Sequence, residues 1–303
     1  MNQQSETKEA GAAPALMKAD ANTPAIAVLG LAEIAIKPGT IFAGNVIATD
    51  AAITMPEGGL VAGKDYYVTA LAQGVAVVEA IGLPWDDVLG GFHYAAGGNA
   101  KAREGGDTTP AINPCSVWDR NFRPASPDPR GMTYVEGVGI KPFWCDIYLT
   151  ASDHLAGTSR FGATIADGND PPEKISGKGH YDGFDYATAI EVLAHHGKQL
   201  LSYDERRIAA FGVTEGTAAE RDPKVTGLDA PRTSRPGLNQ ASGNMWEWGH
   251  CGDANKPRAS LFGGSWWAGD FAGSRQADLV YPWPDNSHEL FGARGRCDHL
   301  TPA

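Results

Sequence analysis

With 303 residues, 42% of them hydrophobic, the chain has material for two or three modest domains, or for one large domain with an appendage. Its 38 glycines and 20 prolines call for many turns and long irregular connections, which argues against a helix bundle. A formal charge of -11 argues against general binding to nucleic acid or anionic membranes, and no apolar run reaches membrane-span length.

Residues 1–24 are polar and alanine-rich and hold no apolar run of the signal-peptide kind. They are expected to form a disordered tail, with a short docking peptide as the alternative. Synthesis in a bacterial cytoplasm follows. There the four cysteines (Cys115, Cys145, Cys251 and Cys297) are expected to remain free and buried as small apolar groups.

Residues 25–88 read as a small β module. Ile26–Leu29, Ile34–Ile36, Ile41-Phe42 and Val46-Ile47 are short apolar runs separated by Gly and Pro. Asp65–Leu71 is expected to alternate between two faces, with Ala72-Gln73-Gly74 turning it into Val75–Val78. No chemistry is visible here. The module would attach or trimerise the chain, or else extend the domain that follows.

Residues 89–303 are expected to form the main domain. Ala95–Asn113 reads as an exposed loop. In Val117–Pro124 and Phe143–Leu149, Trp118, Phe122 and Trp144 are expected in the core, with Asp119, Arg123, Asp128 and Arg130 in fixed ion pairs. A helix is predicted over Asp185–His196, stopped by Gly197, with Tyr186, Ile190 and Leu193 on its inward face and Ala189 and Val192 alongside. His195 and His196 are adjacent, so they cannot chelate as an i, i+4 pair; they would decorate the helix end, where positive charge is favoured. Ser202-Tyr203-Asp204-Glu205 is a capping box for a second helix that runs toward Phe211 and ends at Gly212. Thr214–Leu238, with three prolines, reads as a long surface loop.

The chain closes on an unusual stretch. Gly263-Gly264-Ser265-Trp266, Gly273-Ser274-Arg275 and Gly292-Ala293-Arg294-Gly295 bracket two aromatic-rich intervals that follow neither a helical nor a strand period. A fixed frame with irregular filling suits a binding surface carried on loops. With Gly243-Asn244-Met245-Trp246-Glu247-Trp248 upstream and Cys297-Asp298-His299-Leu300 after it, this frame resembles the variable proteins diversified by retroelements. They belong to the formylglycine-generating-enzyme-like branch of the C-type-lectin fold. The likeness is tight over roughly the last sixty residues. The motifs GGFHY, WDxxFRP, DPRGM and WCDIYL carry it back to about Gly90.

The resemblance implies an α+β chain: a C-type-lectin fold with a small N-terminal β module and a variable region over about 259–300. It implies a receptor-binding protein at a phage or prophage tail-fibre tip, trimeric, taking a host-surface protein or glycan as ligand. Carried over by position, the ligand-binding residues are Ser265, Trp267, Gly269 and Phe271, then Asp278, Val280, Tyr281, Asn286, His288, Leu290 and Phe291. Spacing by two would put the first four on one face of an extended segment. Phe291 reads equally well as core. The stretch around Pro282-Trp283-Pro284 is one residue longer than the pattern, so positions between Leu279 and Asp285 carry an offset of one. Diversified asparagine codons yield every residue type in the set except Trp267, which is therefore fixed or of other codon origin.

Chemistry is not expected. Enzymes of this branch hold copper through a cysteine pair just after the GGS motif, and here the segment Trp266–Ala272 has none. No GxSxG elbow supports a serine triad. Cys297 and His299 share a strand face and read as framework. Asp285, Asn286 and Glu289 have no fixed calcium-ligand pattern. The reading is a binding protein without cofactor or metal. The alternatives are a metal-dependent oxidase of the same branch and a cellular diversified surface or effector protein.

Overall fold

The structure, a computed structural model, describes residues 15–82, 87–96, 109–251, 253 and 256–300. The first fourteen residues of the expected tail and most of the expected 95–113 loop lie outside the described residues.

The N-terminal part is all β. Its strands are β1 (Leu16–Met17), β2 (Ile26–Gly30), β3 (Glu33–Ile36), β4 (Ile41–Phe42), β5 (Asn45–Val46) and β6 (Ile53–Thr54). They are followed by β7 (Lys64–Ala70), β8 (Val75–Glu79), β9 (Val88–Ala95), β10 (Ala111–Ile112) and β11 (Trp118–Asp119). β2 and β3 form a hairpin, and β1-β4-β5 a small sheet. A larger sheet runs β10-β9-β7-β8-β6, with β11 also on β9. The turn between β7 and β8 is closed by the Leu71 N–H on the Gly74 carbonyl, with Gly74 at φ 100°. One core joins these sheets through Ile26, Ile34, Ile36, Phe42, Tyr66, Val68, Val75, Leu89, Phe92 and Ile112.

One expectation changes here. The end of the tail segment is structured: Leu16 is buried in β1, and Lys18 meets Asp119 at 2.7 Å. Asp119 thus takes a lysine partner, and it also accepts from the backbone N–H groups of Ala25, Asn121 and Phe122. Strand β7 alternates between two faces as expected, and both faces are covered, since Tyr66, Tyr67 and Val68 are all buried. The reason is its place mid-sheet. Tyr66 and Val68 face the N-terminal core, while Tyr67 packs with Trp118, Phe122, Met132, Trp144 and Cys297. The expected Asp128–Arg130 pair is present at 2.7 Å, and the Arg130 guanidinium also donates to the Ala80 carbonyl. Arg123 donates to the carbonyls of Pro124 and Ser126.

The C-terminal part contains β12 (Met132–Val135), β13 (Phe143–Asp146), helix α1 (Tyr186–His195), β14 (Gln199–Ser202) and α2 (Tyr203–Ala209). Then come β15 (Trp246–His250), β16 (Ala259–Phe262), β17 (Ala277–Asp278), β18 (Phe291–Ala293) and β19 (Gly295–Asp298). They make one sheet, β12-β13-β19-β14-β15-β16-β17, with β18 parallel to β15. The last strand in sequence is therefore central, between β13 and β14.

Both helices start where their local signals placed them. Asp185 caps α1 through the Thr188 N–H, and Gly197 at φ 68° follows its end. Ser202 and Glu205 form the reciprocal capping box of α2. The inward face of α1 is Ala189, Val192 and Leu193, whereas Ile190 is 44% exposed. The sheet lies under the first three, and Ile190 falls on the outer edge of that stripe. His196 at the helix end is not the stabilised cation expected: burial pushes it down to about 4, so it is neutral near pH 7.

The C-terminal aromatic cluster predicts an acid sensitivity. The Trp144 indole N–H donates to His299 Nδ1 at 3.0 Å, so that nitrogen must keep its lone pair. Burial lowers the His299 pKa, and Lys18 and Lys141 lower it further. The unfolded chain therefore takes up this proton first as pH falls below about 6.5. The stabilising contribution is complete above that pH and is lost as pH drops toward the folded value. Chemical denaturation between pH 8 and pH 5 should show the loss, and His299→Gln should flatten the profile.

Candidate ligand-binding face

Beneath the C-terminal surface lies a buried charged frame. Arg206, Glu247 and Arg294 are all within 1% of complete burial. The Glu247 carboxylate accepts from Arg206 Nε at 3.0 Å, from Arg206 Nη2 at 3.1 Å and from Arg294 Nε at 3.4 Å. Arg294 spends its other N–H groups on main chain: the carbonyls of Asp146, Ile147, Asn239 and Gln240 accept from it. One guanidinium thus ties three separate chain segments. The motif positions Glu247 and Arg294 are framework, and the strand alternation around Trp248 explains why. Trp248 faces the core of Phe184, Leu193 and Phe291, while Glu247 points to the opposite, polar interior.

The first interval is not extended. The amide N–H groups of Ala268, Phe271 and Ala272 donate to the carbonyls of Ser265, Ala268 and Gly269, which makes successive tight turns. Gly269 sits at φ 56°, inside a 3-10 turn over Gly269–Phe271. The one-face reading of Ser265, Trp267, Gly269 and Phe271 is thereby corrected, since turns do not alternate side chains. Ser265 is buried, bridges Asn244, and its hydroxyl accepts from the Trp267 N–H. Trp267 and Phe271, by contrast, are 73% and 72% exposed, and Gly269 is open to solvent. The bracket that follows is pinned by Glu215, which accepts from both the amide and the hydroxyl of Ser274.

In the second interval Asp278, Val280, Asn286 and His288 are exposed, and Tyr281 and Leu290 are half-buried. Tyr281 stands edge-on to Trp248, Trp283 and Phe291 at 5.6, 5.8 and 5.7 Å, and its hydroxyl accepts from the Asn286 amide. Phe291 is only 7% exposed and packs on Trp248, so the structure places it with the core. The structure brings Tyr281, Asn286, His288 and Leu290 together around that aromatic base. Trp283, at 62% exposure, and Leu279 belong to the same surface. A tryptophan held between two prolines was the signal that could have nominated Trp283.

This interval is gripped by fixed groups. Pro284 and His288 offer carbonyls to the N–H groups of Tyr186 and Gly168. The Phe184 N–H donates to the Ser287 hydroxyl at 2.7 Å, and the Asn169 amide donates to Glu289 at 2.8 Å. Two of these contacts are backbone to backbone and two use Ser287 and Glu289, so none of the four depends on a candidate ligand-binding side chain. Close approach requires Gly168, where a Cβ would come within 2.6 Å of the His288 nitrogen. Gly168→Ala should therefore shift residues 286–290 and weaken ligand binding at least tenfold. The stability cost should stay within about 1–3 kcal/mol, as for other local overpacking; binding titrations paired with denaturation curves would read both.

Among the described residues no group of three or more His, Cys, Asp or Glu side chains is placed to hold a metal. Burial raises the Cys145 thiol well above the ordinary range and the Cys297 thiol above its usual value, which leaves them poor nucleophiles. Of the residues weighed for calcium, Asn286 turns to Tyr281 and Glu289 to Asn169.

Residues 25–119 match the family described as Mtd second domain. The chain is 40% identical to the tail fiber receptor-binding protein of Bordetella phage BPP-1, over 94% of this chain and 85% of that one. Among solved structures, the M1 and U1 variants of the Major Tropism Determinant superpose with TM-scores of 0.83 and 0.84. Each is 38% identical, covering 96% of this chain and 87% of theirs. The fold is thus that of these proteins: a C-type-lectin fold preceded by a small β module.

Proposed function

The chain belongs to the Major Tropism Determinant family, and we propose on that footing that it is a phage tail-fibre receptor-binding protein whose C-terminal face recognises a host-surface protein or glycan. The contacting residues are Trp267, Gly269 and Phe271 from the first interval, with Asp278, Val280, Tyr281, Asn286, His288 and Leu290 from the second; Trp283 joins them. One observation carries this reading. The exposed side chains stand on loops anchored by backbone contacts, such as the Gly168 N–H on the His288 carbonyl and the Tyr281 N–H on the Ala259 carbonyl, so most of them are free to change without loss of fold. Large aromatic surfaces give contact area at low entropic cost, and Asn, Asp and His add adaptable hydrogen bonds. We further propose that a retroelement diversifies these positions, that the protein sits in the virion, and that it assembles as a homotrimer, in which several weak sites act together.

Deep sequencing of this gene in a population grown from one clone tests the diversification. Changes should cluster in codons 267–290, sparing the three glycine brackets, Ser265 and Phe291. A region as invariant as the rest of the gene would remove the proposal and leave a binding face of fixed sequence.

A further inference from the structure

A stretch outside the glycine-bracketed intervals, residues 214–232, is laid directly against the first of them. The Gly216 N–H donates to the Ala272 carbonyl at 2.8 Å, and the Ala219 N–H donates to the Gly243 carbonyl at 2.7 Å. Glu215 accepts from the Ser274 amide at 3.1 Å. The approach is close enough to require glycine: a Cβ at Gly243, which sits at φ 65°, would come within 2.5 Å of the Thr217 carbonyl oxygen. The start of this stretch is thus fixed by the same brackets that carry Trp267 and Phe271.

Past Ala219 the stretch encloses a groove of about 460 Å³, with residues 219–223 on one wall and 228–232 on the other. The walls are tied together, since the Arg232 guanidinium donates to the Ala218 carbonyl and the Thr214 N–H to the Pro231 carbonyl. Asn244 also lines the groove, and it bridges Ser265, one strand spacing of about 4.8 Å away. The groove therefore adjoins the first interval. Pro223, Leu228 and Pro231 give it apolar surface. Two of its charges are already matched: Arg232 pairs with Asp229, and Asp222 with Lys224. Glu220 and Arg221 are exposed and enter no ion pair or side-chain hydrogen bond among the described residues.

We infer that this groove is a subsite of the receptor-binding face that takes an extended peptide segment of a protein receptor; the inference rests on the C-terminal face being the recognition surface. A peptide supplies both kinds of contact the groove offers. Its apolar side chains cover Pro223, Leu228 and Pro231, and its polar and charged groups meet Glu220 and Arg221. A glycan is the poorer match, because no Phe, Tyr or Trp among the described residues lines the groove to stack on a sugar ring. The tied walls mean that little ordering is lost on binding. The subsite also lies outside codons 267–290, so it stays the same while the intervals vary. It gives each version of the face a shared hold on peptide, and the variable side chains add the discrimination.

The test titrates purified full-length protein onto receptor-bearing cells and reads the half-saturating concentration. Arg221→Glu and Leu228→Asp should each raise it about tenfold, the size of a substantial interface contact. Their melting curves should match the parent, and Lys178→Ala, at an exposed site elsewhere, should change neither readout. The same losses should recur in a version with a different variable-region sequence that still binds the cells. Treating the cells with protease should abolish binding, and oxidising their glycans with periodate should not. If Trp267→Ala and Phe271→Ala lower binding while Arg221→Glu and Leu228→Asp do not, the face stands and the subsite is overturned. If none of the four lowers it, the recognition surface lies elsewhere and the subsite falls with it. Losses confined to one variable-region sequence, or binding that resists protease and fails after periodate, also overturn it.

Discussion

Replacing Glu247 by glutamine is expected to destabilise the C-terminal domain by about 3–5 kcal/mol, the cost of leaving buried charge unpaired. The substitution keeps shape and volume, so packing is not the cause. Glu247 is the one carboxylate between two guanidinium groups, and all three side chains are sealed from water. Without it Arg206 and Arg294 face each other with net positive charge and no solvent. The thermal midpoint should fall by about 10 °C or more, given a few degrees per kcal/mol for a domain of this size. A double-mutant cycle with Arg206→Met isolates the electrostatic part: the double variant should be less unstable than the two single effects added together. A loss of under about 1 kcal/mol for Glu247→Gln would mean that the frame is held by packing and main-chain contacts alone.

The second large effect lies on the other side of that frame. Trp267→Ala and Phe271→Ala should each lower receptor binding by roughly 30-fold, corresponding to about 2 kcal/mol for a central aromatic contact. Their melting curves should stay within about 0.5 kcal/mol of the unaltered protein, because both side chains are almost entirely in solvent. Phe291→Ala is the contrasting case. Its ring is packed on Trp248 and Tyr281, so truncation should cost about 3–5 kcal/mol of stability. Adsorption of variant virions to receptor-bearing cells, set beside calorimetry of the purified proteins, separates the two classes. If Trp267→Ala and Phe271→Ala bind as well as the parent, the first interval is not part of the recognition surface.

Much of this architecture was legible in the order of residues, and the reasons are local. Asp185, Gly197 and the Ser202–Glu205 box declare helix ends through their own backbone hydrogen bonds, so no tertiary knowledge was needed. The short strands from Ile26 to Val78 were marked by Gly and Pro between apolar runs. What failed depended on contacts distant in sequence. That Trp118 and Trp144 cover Tyr67 could not be read locally, because nothing near Tyr67 in the sequence announces them. The contact of buried His154 with His196, forty-two residues on, offered no signal either. In the binding face, alternation was assumed for Ser265–Phe271, but Gly269 with its positive φ turned the segment into consecutive tight turns. Burial then divided the candidate set: the residues next to glycine brackets, Ser265 and Phe291, went inward, and those at the loop tips stayed out.

The position of β19 has a consequence for synthesis. This strand leaves the ribosome after its neighbours, yet it sits between β13 and β14 in the finished sheet. Residues 143–146 must wait for partners about 150 positions downstream. Until those arrive, the two halves of the sheet have no shared strand and their inner edges are open to other chains. A chain cut short anywhere in the second interval would lose both β18 and β19 and could not close its core. Premature termination there should yield insoluble or degraded product, never a stable protein with a shortened face, so synthesis through β19 is a precondition for any folded copy of the surface.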